Sequence, residues 1–216
     1  MSVQTLQRPK PKTVYPDGDG QPMADNTLQF QWIVTLQGGL DAMFRDDPGV
    51  FVAGDLLWYP VEGDNTLSAA PDALVAFGRP KGYRGSYKQW EEDGIAPQVV
   101  FEVLSPHNRV GEMVAKFQFY DRFGVEEYYL FDPDRIDLSG WIRRGDDLIA
   151  LDQADGWTSP RLGVRFDLSS GDLQVFGADG QPFVTYVEVF EQRDRERQRA
   201  ERLAAQLRAL GVEPND

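Results

Sequence analysis

One acid set inside an apolar strand constrains this chain more than any other feature. Val99-Val100-Phe101-Glu102-Val103-Leu104 is a β-branched and aromatic run, opened after Pro97 and closed by Ser105-Pro106, and it reads as a strand buried on both faces. An ionised carboxylate in such a strand is costly unless it is paired, bound to a cation or placed at the edge of the sheet. The same design occurs upstream in Pro71-Asp72-Ala73-Leu74-Val75-Ala76-Phe77: a proline, one acid, then an apolar strand. Two such strands laid side by side bring Asp72 and Glu102 together at one end of a sheet. Carboxylates so placed are hard oxygen ligands for a small divalent cation, Mg2+ or Mn2+, which would relieve the burial cost of both.

Downstream, Val110, Met113, Val114, Phe117, Tyr120 and Phe123 recur at helical spacing. That spacing predicts a helix over 110–123 with this stripe in the core, Asn108 as its cap and Gly124 as its left-handed terminus. Lys116 falls at the margin of the stripe, and its ammonium either turns inward toward the acids or stays in solvent. Residues 126–132 form a further strand, so strand, helix and strand in succession predict a right-handed crossover between parallel strands.

Taken as an ordered set, Pro71-Asp72, Phe101-Glu102-Val103-Leu104-Ser105-Pro106, Lys116 with Tyr120, and Gly124-Val125-Glu126-Glu127-Tyr128 through Asp132-Pro133 resemble the Uma-two family of restriction endonucleases, within the PD-(D/E)XK nuclease superfamily. The resemblance covers Asp55 to Pro133 closely and the helix before it loosely. It implies an α/β, restriction-endonuclease-like fold with a mixed central sheet flanked by helices. It also implies an endonuclease acting on the phosphodiester bonds of DNA, with Asp72 and Glu102 on the metal and Lys116 on the developing charge, and it makes a homodimer the expected assembly. The superfamily pattern places a lysine two residues after the second acid, where this chain has Leu104. The resemblance implies that the lysine has moved to the following helix as Lys116.

Composition narrows the chemistry. There is no cysteine, and His107 is the only histidine, which excludes thiolate catalysis, cysteine zinc sites and histidine clusters. His107 itself lies in a Ser-Pro-His-Asn turn, where an exposed loop residue and a substrate contact are both readings. A net charge of -13 argues against a surface that binds nucleic acid everywhere. The balance is uneven, however: between Ala73 and Trp90 there is no acid, while Arg79, Lys81, Arg84 and Lys88 interleave with Tyr83, Tyr87 and Trp90. This loop reads either as a nucleic-acid contact, cations on phosphates and aromatics on bases, or as a small satellite core. No stretch approaches the ~20 apolar residues of a membrane span, and the start lacks a signal-peptide core, so a soluble cytoplasmic protein is the expectation.

Residues 1–24, with Arg8, Lys10 and Lys12 among prolines, read as a flexible arm; 25–183 as the nuclease-like domain; 184–216 as a charged C-terminal helix. Asp25-Asn26-Thr27 caps a helix with Phe30, Ile33, Val34, Leu40, Met43 and Phe44 near one face, and Gly38-Gly39 suits close packing. Residues 50–53 and 56–59 read as a hairpin around Gly54-Asp55, with Asp55 either a turn residue or a third acid beside the site. Short strands from Leu138 to Phe176 read as an antiparallel β extension. Near the end, Ala200, Leu203, Leu207 and Leu210 keep a three-four-three spacing that suits a short coiled-coil contact or a solvated helix. Three function classes remain: a metal-dependent endonuclease, a catalytically silent nuclease-like scaffold that binds nucleic acid or protein, and a glycosidase using the two carboxylates. The last leaves Lys116 and the basic loop unexplained.

Overall fold

Alternation of side chains along the strands builds two apolar layers in this computed structural model, which describes residues 13–18, 20 and 22–211. Helix α1 (Thr27–Met43) comes first, capped by the Asn26 side chain, which accepts the Gln29 N–H. The strands are β1 (Val50–Ala53), β2 (Trp58–Tyr59), β3 (Ala73–Phe77), β4 (Tyr87–Lys88), β5 (Val99–Val103), β6 (Glu127–Asp132), β7 (Asp137–Arg144), β8 (Asp147–Ala150), β9 (Arg165–Asp167) and β10 (Gln174–Phe176). Helix α2 (Val110–Arg122) joins β5 to β6, and α3 (Tyr186–Ala209) ends the described chain. The main sheet runs β1-β3-β5-β6-β7-β8; β5 and β6 are parallel and the other neighbours antiparallel. It is thus the mixed central sheet that the family resemblance implies, with a helix against each face.

Val52, Val75, Val99 and Phe101 pack with Ile33, Leu36 and Leu40 of α1 in one layer. Leu74, Ala76 and Val100 pack with Phe119 and Tyr120 of α2, and with Trp58 and Tyr87, in the other. β3 and β5 feed both layers, which is why their sequences are nearly continuous apolar runs.

The expected hairpin is not formed. β1 pairs with β3, from Val50 opposite Phe77 to Ala53 opposite Leu74, while β2 pairs in parallel with β4 in a separate ribbon. Gly54-Asp55 instead carries the chain out of the sheet, with Asp55 at φ 47° and its N–H on the Pro71 carbonyl. Two short apolar runs around a turn signal cannot reveal that the longer strand β3 offers the first one a better partner.

The helix faces also differ from expectation. In α1 the buried residues are Gln29, Ile33, Leu36 and Leu40, whereas Phe30 and Val34 are exposed. Gly39 is needed on this helix, because a Cβ there would lie 2.3 Å from the Phe183 ring. In α2 the buried residues are Phe119 and Tyr120, while Val110 and Val114 face outward, so the stripe is not all core. At about 100° per residue, Lys116 then lies between Phe119 and Tyr120 on the inward face and not at its margin. Nor does Asn108 cap α2. Arg109 is the N-cap and makes no side-chain bond, while Asn108 Oδ1 accepts the Ser105 N–H and closes the preceding turn. Gly124 does take the left-handed conformation, at φ 89°.

Part of the expected arm is docked. The Tyr15 ring packs against Tyr59 and Trp90, the Pro16 carbonyl accepts the Tyr59 hydroxyl and the Val14 carbonyl accepts the Asn65 amide. Arg8, Lys10 and Lys12 lie outside the described residues. β7 and β8 extend the main sheet, and β9 with β10 forms a separate antiparallel pair. No helix among the described residues is long and apolar enough to cross a membrane.

Candidate active site

Ala73 stands opposite Phe101 in the β3–β5 ladder, so Asp72, one residue earlier, comes level with Glu102 on the α2 side of the sheet. Both are buried, at 8% and 3% exposure. Asp72 Oδ2 accepts the Val103 N–H at 2.6 Å. Glu102 is held from α2, where Lys116 Nζ donates to Oε2 at 2.7 Å and the Tyr120 hydroxyl donates to Oε1. The Lys116 ammonium also reaches the Ala70 carbonyl at 3.4 Å. The rotation of α2 described above causes this arrangement: one inward face carries Lys116 and, one turn later, Tyr120.

Burial pushes the Asp72 carboxyl up to about 8, and the neighbouring Glu102 carboxylate adds to the rise; Lys116 and the Val103 N–H oppose it. For Lys116, burial favours the neutral amine, but the charge of Glu102, the hydrogen bond to it and the nearby Asp72 and Glu112 together outweigh burial and hold the ammonium above its ordinary value. Burial and then Glu102 keep the Tyr120 hydroxyl protonated far above neutrality. The result is two adjacent carboxyl groups, one cation and one firm hydroxyl donor.

The site opens into a cavity of about 460 Å³ bounded by Asp55, Asp72, Glu112, Lys116, Asp25 and Gln29, with His107 at its wall. Gln29 links α1 to the site. Its amide donates to the Val103 carbonyl at 2.8 Å, and its oxygen accepts the Asp25 N–H at 2.8 Å. The Val103 peptide is thus gripped on both sides, by Asp72 and by Gln29. Asp25 in turn accepts the Ser105 hydroxyl, and His107 Nδ1 lies 4.0 Å from it. Sequence reading missed Gln29 and Asp25. The one available signal was a glutamine in register with Ile33, Leu36 and Leu40 on an apolar helix face.

The donor chemistry fits a small divalent cation. Asp72 and Glu102 use one and two of their lone-pair positions on protein donors and keep others, and a carboxylate has about four such positions. Among the described residues no three acids or histidines converge closely enough to hold an ion alone. Two carboxylates completed by water and phosphate oxygens are the usual protein share of a magnesium site.

The structure brings Asp72, Glu102 and Lys116 together and adds Asp55 to the cavity wall. It places the four loop cations elsewhere. Their loop leaves the other end of β3, contains β4 and a short 3-10 helix (Gln89–Glu91), and gives each cation a carboxylate. Arg84 makes a two-pronged pair with Glu92, Arg79 pairs with Asp93 at 2.6 Å, Lys81 with Asp41 at 3.4 Å and Lys88 with Glu91 at 3.5 Å. Tyr87 is core, Trp90 packs on Tyr15 and Tyr83 is exposed.

Comparison with known proteins gives a nuclease family. The Uma2 family model, described as "Putative restriction endonuclease", matches residues 3–175. Among solved structures, the chain is similar to a crystal structure of "a putative nuclease belonging to DUF820" from Anabaena variabilis ATCC 29413, at 16% identity and a TM-score of 0.46, over 62% of this chain and 72% of that one. No curated protein matches. Because the family match spans well over half the chain and includes every residue of the site, from Asp25 through Tyr120, this chain belongs to the Uma2 family.

Proposed function

We propose that the chain is a metal-dependent endodeoxyribonuclease, with Asp72, Glu102 and Lys116 as its catalytic residues. The observation that carries this reading is the contact set on Glu102: a buried acid, level with a second acid and met by a lysine and a tyrosine, with that second acid and the lysine lining a cavity. A Mg2+ or Mn2+ ion held by Asp72 and Glu102 would supply Lewis-acid activation of a phosphodiester and a more acidic bound water. The chain's own residues do the rest. Tyr120 fixes one oxygen of Glu102, so the carboxylate cannot swing away. Lys116 keeps its proton in the presence of both acids and is the fixed positive charge nearest the negative charge that develops on the phosphate. The Val103 N–H, held in register by Gln29, sets the orientation of Asp72. Cutting both strands of a duplex with one such site per chain is most simply done by a two-fold homodimer, which is the assembly we assign.

A second reading, a silent scaffold that binds without cleaving, is favoured by one observation: both oxygens of Glu102 already have protein donors. One experiment separates the two. Supercoiled plasmid is incubated with the protein in Mg2+ or Mn2+, with and without a chelator, alongside Asp72→Asn and Glu102→Gln. Nicking that needs the metal and is lost in both variants is the expected result. Nicking that survives the chelator or either substitution overturns the assignment, and metal binding with no nicking leaves the scaffold reading in its place.

A further inference from the structure

An apolar groove lies beside the site, and its complement lies at the other end of the chain. The groove, of about 760 Å³, runs between the outward face of α2 and the β6–β7 surface, walled by Leu104, Val110, Val114, Phe117, Leu130 and Trp141. Val110 is 82% exposed and Val114 48%. Two valines on the open side of a helix, facing an aromatic wall, form a contiguous patch of the kind that marks an interaction surface. Its rim carries two acids and one cation, Asp132, Asp134 and Arg135, with Arg135 3.6 Å from Asp132.

α3 has the opposite character. Its 24 residues include none that is buried, although Leu203, Leu207 and Leu210 recur at i, i+4 and i+7. From Arg197 to Leu210 these leucines are flanked by Arg197, Arg199, Arg202 and Arg208 against Glu201 alone. An amphipathic helix with such a stripe is built to lie in a groove, and its basic flanks suit a rim on which acids outnumber cations two to one.

The helix cannot reach the groove of its own chain. Phe183 fills the notch at Gly39, and Tyr186 and Val189 share a hollow with Val34 and Gly38, so α3 leaves the domain on the α1 face. The groove belongs to the other face, since Phe117, Tyr128, Leu130 and Trp141 pack in the α2 layer. No glycine or proline interrupts residues 186–209, and a continuous helix of this length projects about 36 Å without a kink. Pairing of two α3 helices is the poorer solution. The heptad seam that holds Ala200, Leu203, Leu207 and Leu210 meets Glu196 and Arg193 one turn earlier, which in a parallel pair would stack like charges and leave a seam too short to hold.

We propose that α3 docks its Leu203-Leu207-Leu210 stripe into the α2–β6–β7 groove of a second copy of this chain, and that the exchange is reciprocal. This takes the two-fold dimer from the proposed function and gives it an interface; the readouts below are mass and cross-linking, so they stand apart from cleavage. Leu104 acquires a role in this arrangement, as part of the groove wall at the position where the superfamily pattern has its lysine.

The absence of cysteine makes the test direct. Full-length protein carrying both Leu207→Cys and Val114→Cys is treated with a short bismaleimide, beside each single variant. A covalent dimer from the double variant and none from the singles is expected. A covalent dimer from Leu207→Cys alone would mean that α3 pairs with α3, an internally linked monomer would mean that the helix folds back, and no linkage would mean that the groove is empty; each of these overturns the proposal. Light scattering on the full chain gives a second measure. Leu203→Glu with Leu207→Glu, and separately Val114→Glu, should each halve the mass, and a parent protein that is already monomeric, or a mass that responds to only one side, defeats it.

Discussion

Two glutamates on neighbouring parallel strands show what separates a site from a stable core. Glu102 of β5 and Glu127 of β6 are both nearly inaccessible, at 3% and 2% exposure. Glu127 points to the α1 side and is met by neutral donors: the Tyr129 and Ser159 hydroxyls and the Arg161 N–H. Burial raises its pKa, and no second acid stands beside it among its hydrogen-bond partners. Glu102 is met by a lysine and a tyrosine and lies level with Asp72, and both Asp72 and Lys116 line a cavity. A third case divides the features further. Glu92 has two arginines, yet it serves only to fold the 78–94 loop. Burial alone, or a cation alone, therefore accompanies structure, and the acid pair sharing one cation beside open space is where we propose the chemistry.

The sharpest way to break this contrast is to remove the charge from each glutamate in turn. Glu102→Gln is expected to lower metal-dependent cleavage by at least about 10²–10³-fold, the usual loss when one electrostatic contact to the reacting group goes. Glu127→Gln should leave the activity of the folded protein unchanged and cost about 1–3 kcal/mol of stability, because an amide cannot accept all three donors. Plasmid nicking and thermal melts read the two outcomes, and equal effects of both substitutions on nicking would abolish the distinction.

Next in size is the cation. Lys116→Met keeps the apolar stem on α2 and removes the cation paired with Glu102, with an expected loss of about 10²-fold in cleavage. It also leaves Glu102 as a buried acid with one protein donor, the Tyr120 hydroxyl, so the variant should melt earlier than its parent. A variant as active and as stable as the parent would return Lys116 to the surface lysines.

Asp72 supplies a pH dependence with a definite sign. Its carboxyl is raised to about 8 in the folded chain, against about 4 when unfolded, so the fold binds the proton more tightly. The metal-free protein should therefore be most stable below about pH 4 as far as this group is concerned, lose that contribution as pH rises toward 8, and change no further above it. A cation on the same carboxylate displaces the proton. Mn2+ binding at pH 7 is expected to release up to one proton per site, measurable by calorimetry in buffers of different ionisation enthalpy. Asp72→Asn should flatten the pH dependence of stability and eliminate the release; zero release by the parent at pH 7 would detach Asp72 from the metal.

How much of this was legible in the sequence follows from which interactions are local. The two acid-bearing strands, their placement side by side and the parallel crossover were readable, because each depends on a short apolar run bounded by proline or glycine. Orientation was not. The inward face of α2 is chosen by the packing of Phe119 and Tyr120 on Trp58, and that ring comes from a distant part of the chain. The same tertiary choice rotated α1 onto Gln29 and gave β1 to β3 instead of to residues 56–59. Turn chemistry explained Asp55 adequately in one dimension, and only the return of the chain past Pro71 set it beside Asp72.

The smallest expected effect lies in the basic loop, where cations already have carboxylates. Arg79 and Arg84 are largely buried and close-paired, and Arg84 also stacks on Phe51 at 3.9 Å, so they belong to the fold of the loop. Lys81 and Lys88 make long pairs of 3.4 and 3.5 Å with exposed partners, which are worth little and are readily exchanged for a phosphate. Assigning these two lysines to DNA predicts that Lys81→Gln with Lys88→Gln lowers the salt dependence of binding by about 0.9 in log–log slope for each phosphate no longer neutralised, with the melting temperature nearly unchanged. Arg79→Gln with Arg84→Gln should do the reverse, lowering the melting temperature because Glu92 is left without either of its cations while the salt slope hardly moves. Fluorescence anisotropy of a labelled duplex across a salt series distinguishes them. If the arginine pair carried the slope and the lysine pair did not, close pairing with a carboxylate would no longer separate folding cations from binding ones in this protein.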